Sequence, residues 1–99
     1  MPGVILQISY EIDEQRREDY LRLVKEMKEH FTAVRGKQYS VYELRGKPNS
    51  FVEQFVCGSV EEYEALDDNL DEKSEELVNR LETLLKNGKA RYQTLVEPG

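Results

Sequence analysis

Residues 49–66, NSFVEQFVCGSVEEYEAL, decide the fold of this chain. They read as a strand through the middle of a sheet that turns directly into a helix. Phe51, Glu53, Phe55 and Cys57 alternate with Val52, Gln54 and Val56, and residues two apart in a strand share a face. Both faces are at least half apolar, so both are expected to be covered. Gly58 ends the run. Ser59 and Glu62 then make a Ser-x-x-Glu capping box, in which each side chain satisfies a backbone amide at the start of a helix.

Working outward, residues 4–12 form a first strand with Val4, Leu6, Ile8, Tyr10 and Ile12 on one face and Ile5, Gln7, Ser9 and Glu11 on the other. Asp13 is placed to cap a helix that runs to about Val34 and stops at Gly36. Tyr20, Leu23, Val24, Met27, Phe31 and Val34 give that helix one apolar stripe. Residues 38–45 form a second strand, and Gly46, Lys47, Pro48 and Asn49 form the turn of a hairpin into the third. The run DDNLD at 67–71 is rich in poor helix formers and good caps, so it predicts a break in the second helix. A further helical segment then reaches about residue 87, with Leu70, Leu77, Val78, Leu81, Leu84 and Leu85 as its stripe and Gly88 as its cap. Residues 89–97 form the last strand.

The order is strand, helix, strand, strand, helix, strand. It predicts an α+β, ferredoxin-like βαββαβ fold over residues 1–99 as a single domain, a four-stranded antiparallel sheet with helices on one face and strands one and three at its centre. The face under the helices is expected to carry Val4, Leu6, Ile8, Leu44, Val52, Val56 and Val96, with Tyr10, Tyr42, Gln54 and Tyr92. The opposite face then holds Ile5, Tyr39, Val41, Phe51, Phe55 and Leu95, mixed with Gln7, Glu43, Arg45, Glu53 and Arg91. Left bare, such a face would drive association, so a homodimer through the open sheet face is expected.

Composition narrows the function. The chain has 99 residues, 34% of them charged, and a net charge of −6. An acidic chain without a basic stripe does not suit nucleic acid. No apolar run approaches the roughly 20 residues of a membrane span, and the first residues do not look like a signal peptide. The single cysteine, Cys57, excludes an internal disulfide and a Cys-rich zinc site and fits a cytoplasmic setting. Nothing in the pattern calls for a metal or other cofactor. The acidic run between Glu61 and Glu76 lacks the spacing of a calcium loop.

The string from Gly36 to Tyr63 (G-x-x-Y-x-V-Y, a Pro-Asn turn, F-V-E-Q-F-V and S-V-E-E-Y) resembles the dimeric α/β barrel superfamily, in particular its antibiotic biosynthesis monooxygenase-like domains. The resemblance implies a ferredoxin-like protomer, a dimer, and a ligand cleft between sheet and helices. Haem-degrading members hold iron with a His on the second helix, and this chain has none there. Other members place a Trp just after the Ser and a His three residues beyond; here those positions are Val60 and Tyr63.

Two candidates for catalysis stand out. His30, the only histidine, could titrate near neutral pH as a general base; the plainer reading is a helix-edge ring half in solvent. Glu53, mid-strand, could be a base with a raised pKa; the plainer reading is an ion pair with Arg45 or Arg91. Tyr10, Tyr42, Gln54 and Tyr92 are candidate ligand-binding residues for a small aromatic or quinone-like molecule. The sequence therefore supports two functions. One is a dimer that binds or oxidises such a molecule without a metal. The alternative is a non-catalytic structural or regulatory dimer whose cleft its own side chains fill.

Overall fold

The computed structural model describes residues 3–68 and 71–98, with the backbone alone at 67 and 68. The elements run β1 (Val4–Ile12), a 3-10 turn (Glu14–Arg16), α1 (Arg17–Lys28), a π-helical turn (Glu29–Val34), β2 (Gln38–Glu43), β3 (Ser50–Cys57), α2 (Val60–Asp68), α3 (Glu72–Glu82) and β4 (Leu85–Val96). The sheet order is β2-β3-β1-β4 and every neighbouring pair is antiparallel. This is the ferredoxin-like α+β plan, with β1 and β3 at the centre as expected.

Register settles which side chains look at the helices. Ile8 stands opposite Glu53 on one side and Tyr92 on the other; Tyr10 stands opposite Phe51 and Ala90; Tyr39 stands opposite Phe55. Directly paired residues share a face. Tyr10, Tyr39 and Phe51 belong to the buried core with Tyr20, Leu23 and Met27 of α1 and Leu77 and Leu81 of α3, so this is the helix face. The expected faces therefore hold for β1 and β4 and are exchanged for β2 and β3. Phe51, Glu53, Phe55, Tyr39 and Val41 lie under the helices; Val52, Val56, Gln54 and Tyr42 lie on the open face. The physical reason is volume. Three aromatic rings fill the gap between sheet and α1 better than two valines, with Phe51 stacked 4.3 Å from Tyr20 and Phe55 at 4.7 Å from Tyr39, centroid to centroid.

Local signals explain the element ends. Asp13 accepts a bond from the Gln15 amide at 3.0 Å. Ser59 accepts from the Glu62 amide at 3.1 Å, as expected of a cap, while Glu62 reaches back to the Gly58 amide at 2.7 Å, one residue before the amide that a capping box uses. Asp71 caps α3 by accepting from the Ser74 amide at 2.8 Å. The predicted break falls between α2 and α3; its centre, residues 69 and 70, and with it the placing of Leu70, lies outside the described residues. The β2–β3 turn is clamped to the start of α1: Arg17 donates to both carboxylate oxygens of Glu43 at 2.7 and 2.9 Å and to Asn49 Oδ1 at 2.8 Å.

Two boundaries differ from expectation. β2 ends at Glu43, so Arg45 lies in the turn. α3 stops at Glu82, and β4 begins at Leu85 rather than at residue 89. Ile12 pairs with Leu85 and Tyr10 with Ala90, so β4 carries extra residues here and bulges. Gly88, with φ 66°, sits in that bulge instead of capping a helix.

Candidate functional site

A cavity of about 480 Å³ lies between the helix face of the sheet and the helices. Its walls are mostly apolar: Ile8 and Phe55 of the sheet, Met27 and Phe31 from the first helical segment, and Leu81 of α3. A volume of this size suits a small organic molecule.

The polar group that stands out in this wall is Glu53. It is 3% exposed, and one carboxylate oxygen, Oε1, accepts a bond from the Tyr39 hydroxyl at 2.6 Å. The other oxygen, Oε2, is buried with no hydrogen-bond partner among the described residues. Burial pushes the Glu53 carboxyl above its ordinary value of 4.5, and the Tyr39 and Tyr10 hydroxyls pull the other way. Neither Arg45 nor Arg91 pairs with Glu53: Arg45 lies in the turn and Arg91 on the open face, where Ser9 is its partner in register. The expected ion pair is replaced by a tyrosine diagonal to Glu53 on the adjacent strand.

Around the carboxylate the phenols are arranged in a buried group. Tyr10 and Tyr20 share a hydrogen bond at 2.7 Å, their rings edge to face. Burial raises Tyr10, Tyr20 and Tyr39 well above the ordinary 10.0, with the negative charge of Glu53 adding to it. These phenols therefore stay protonated near neutral pH and do not act as bases. Buried Cys57 is likewise raised by desolvation, which fits a packing role more than a reactive thiol.

The π turn shapes the cavity mouth. Its i→i+5 bond, Arg35 amide to His30 carbonyl at 2.9 Å, inserts one extra residue into the turn. It carries His30 and Phe31 into the interior, at 7% and 8% exposure. His30 is thus buried and not half in solvent. Its Nε2 lies 3.2 Å from Asp71 Oδ1 and 3.1 Å from Ser74 Oγ. Acid and hydroxyl meet the same ring nitrogen, so the trio does not form a nucleophile relay, in which the two would use opposite nitrogens. Instead it fastens the π turn to the start of α3. The Ser74 hydroxyl and amide, with His30 adding less, hold the Asp71 carboxyl below the usual carboxylate range. Arg35 also reaches Asp71, at 3.4 Å.

Of the six sequence candidates, Glu53 and Tyr92 line the cavity. Tyr10 is buried beside Tyr20, His30 lies at the π turn, and Tyr42 and Gln54 are on the other side of the sheet, where Gln54 accepts from Gln7 at 3.0 Å. Tyr39, Arg35 and Lys37 are site residues that sequence reasoning missed. Tyr39 could have been found only from strand register. The basic pair flanking Gly36 was visible, but nothing in the pattern aimed it inward. Among the described residues no group of three or more His, Cys, Asp or Glu is placed to hold a metal ion, and no helix is long and apolar enough to cross a membrane.

Sheet and helices define the class: a ferredoxin-like α+β fold with a cavity between its layers. No protein-family model matches the sequence, and no curated protein matches it. Solved structures do match. A conserved protein from Methanosarcina mazei superposes with a TM-score of 0.84 at 12% identity, over 99% of this chain and 95% of that one. A structure described as a putative antibiotic biosynthesis monooxygenase from Deinococcus radiodurans gives 0.75 at 13% identity, over 97% and 92%. SnoaB, described as a cofactor-independent oxygenase from Streptomyces nogalater, gives 0.72 at 13% identity, over 94% and 90%. At these identities the likeness establishes a shared fold.

Proposed function

We propose that the cavity beneath the helices binds a small aromatic molecule of hydroquinone or phenol type and that Glu53 exchanges a proton with its hydroxyl. One observation carries this reading: a buried carboxylate oxygen without a partner among the described residues, in the wall of a mostly apolar cavity. An unsatisfied buried acceptor is costly to keep, and a ligand hydroxyl would satisfy it. A carboxyl raised toward neutrality is also a better base for a phenol than an ordinary one. Proton loss leaves an electron-rich ring. For a hydroquinone the balanced oxidation gives the quinone, with dioxygen reduced to hydrogen peroxide, and needs no metal. The shared fold with a cofactor-independent oxygenase supports this chemistry for the cleft. The open cavity weighs against a cleft filled by the protein's own side chains.

The test is thermal-shift titration with 2-naphthol and with 1,4-naphthohydroquinone under nitrogen, since a ligand of the native state raises the melting temperature by mass action. A rise that grows with concentration, and that Ala90→Phe removes by filling the cavity, supports binding. Oxygen uptake with the hydroquinone, abolished by Glu53→Gln, supports oxidation. No shift with either compound refutes the reading.

We also propose that the open sheet face is covered by a second copy of the chain. Ile5, Val52, Val56 and Leu95 stand there beside Tyr42, which is 58% exposed, and the Gln7–Gln54 pair. Apolar side chains with neutral hydrogen-bonding groups among them suit an interface between subunits. Phe51 and Phe55, expected in that interface, are not part of it. Sedimentation equilibrium reads the outcome: a dimer that Val52→Lys with Val56→Lys converts to monomer is expected, and a wild-type monomer refutes it.

A further inference from the structure

Two cations line the cavity on the side of the π turn, and the apolar ligand proposed above does not use them. Arg35 is largely buried, its side chain 15% exposed, with one contact to Asp71 at 3.4 Å. Lys37 is partly buried, lines the same cavity, and makes no ion pair among the described residues. Its backbone is fixed, because the Lys37 amide donates to the Phe31 carbonyl at 2.7 Å. Most lysines at a protein surface extend into water. One that faces an apolar cavity without a carboxylate partner keeps a charge that an anion would satisfy. Glu82, the other acid in the cavity wall, is the last residue of α3 and makes no ion pair with Lys37 among the described residues.

The strands set the spacing between this charge and Glu53. Lys37 precedes Gln38, and Val41 is the β2 residue opposite Glu53. Four residues of strand separate them, about 14 Å at roughly 3.4 Å per residue. The rings of Tyr39 and Phe55 lie between. Less what the two side chains reach toward one another, the gap is roughly the length of a two-ring aromatic acid.

We propose that the cavity selects an aromatic carboxylic acid that carries a hydroxyl at its far end, with the carboxylate at Lys37 and Arg35 and the hydroxyl at Glu53 Oε2. This rests on the cavity being the binding site and adds the charge, length and orientation of what it takes. The net charge of −6 makes the local pair of cations the feature that admits an anion to an otherwise acidic protein.

Isothermal titration with three probes separates the claims: 6-hydroxy-2-naphthoate, 2-naphthoate and 2-naphthol. The hydroxynaphthoate is expected to bind most tightly. Lys37→Met, which keeps an aliphatic stem, weakens both carboxylates by roughly ten- to hundredfold and leaves 2-naphthol unchanged, and Lys37→Arg restores them. The unchanged affinity for 2-naphthol shows that the variant cavity is intact. If 2-naphthol binds as tightly as its carboxylate, and Lys37→Met affects neither, the charge assignment is wrong while the cavity still stands. If no probe binds saturably, the cavity reading falls and the charge assignment with it.

Discussion

Replacing Glu53 with Gln removes the buried carboxyl from the cavity wall and leaves its shape. The effect follows from proton linkage. The folded carboxyl titrates above its unfolded value, so in the window between the two the native state holds a proton that the unfolded state has released. Stability is unaffected below the unfolded value near 4.5, falls as pH rises through the window, and levels off above the folded value. A single proton gives a slope of at most about 1.4 kcal/mol per pH unit. The substituted amide has no such titration but can still accept from Tyr39. The expected result is a wild-type protein that loses stability as pH rises above the ordinary carboxyl value of 4.5 and an E53Q variant that does not, with the variant the more stable once the wild-type carboxyl is ionised. The assay is urea unfolding at a series of pH values, which reads the difference free of contributions the two proteins share. Parallel curves, or a wild type that gains stability relative to the variant as pH rises through this range, would refute the buried carboxylate with its unpartnered oxygen.

Three further outcomes check other parts of the structure. Tyr39→Phe strips Glu53 Oε1 of its hydrogen bond and should cost about 1–3 kcal/mol at neutral pH and less at acid pH, read by the same unfolding series. Glu43, held at about 2 chiefly by the Arg17 hydrogen bond and then by the Asn49 amide, contributes stability that is full above its ordinary 4.5 and lost as pH falls through the folded value; Glu43→Gln should flatten acid unfolding in that window and nowhere else, as followed by circular dichroism. Ser59→Ala removes the acceptor for the Glu62 amide and should cost about 1 kcal/mol, with faster amide exchange confined to the first turn of α2.

The plan of the fold was legible because each element carried its own signal. Ser59 and Asp71 cap α2 and α3, Asp13 caps the 3-10 turn that leads into α1, and β1 alternates cleanly enough to fix its own faces. β3 did not. With Phe51, Glu53, Phe55 and Cys57 against Val52, Gln54 and Val56, charge count placed Glu53 outside and ring volume placed it inside, and volume won because Tyr39 offsets part of the carboxylate's desolvation. That partnership depends on strand register, which alternation within one strand does not contain. The same holds for His30, whose burial depends on Asp71 and Ser74, more than 40 residues away in sequence. Gly88 misled for a local reason: a glycine with positive φ after a leucine-rich helix serves equally in a helix cap or in a strand bulge.

The claim on which the account turns is that small aromatic ligands enter beneath the helices, against Glu53. Methyl NMR during titration with 2-naphthol tests it directly. Met27 and Ala90, which line the cavity, should shift in step with saturation while Val52 and Val56 on the open face stay still. Shifts confined to the valines, or none at any of the four, would contradict it.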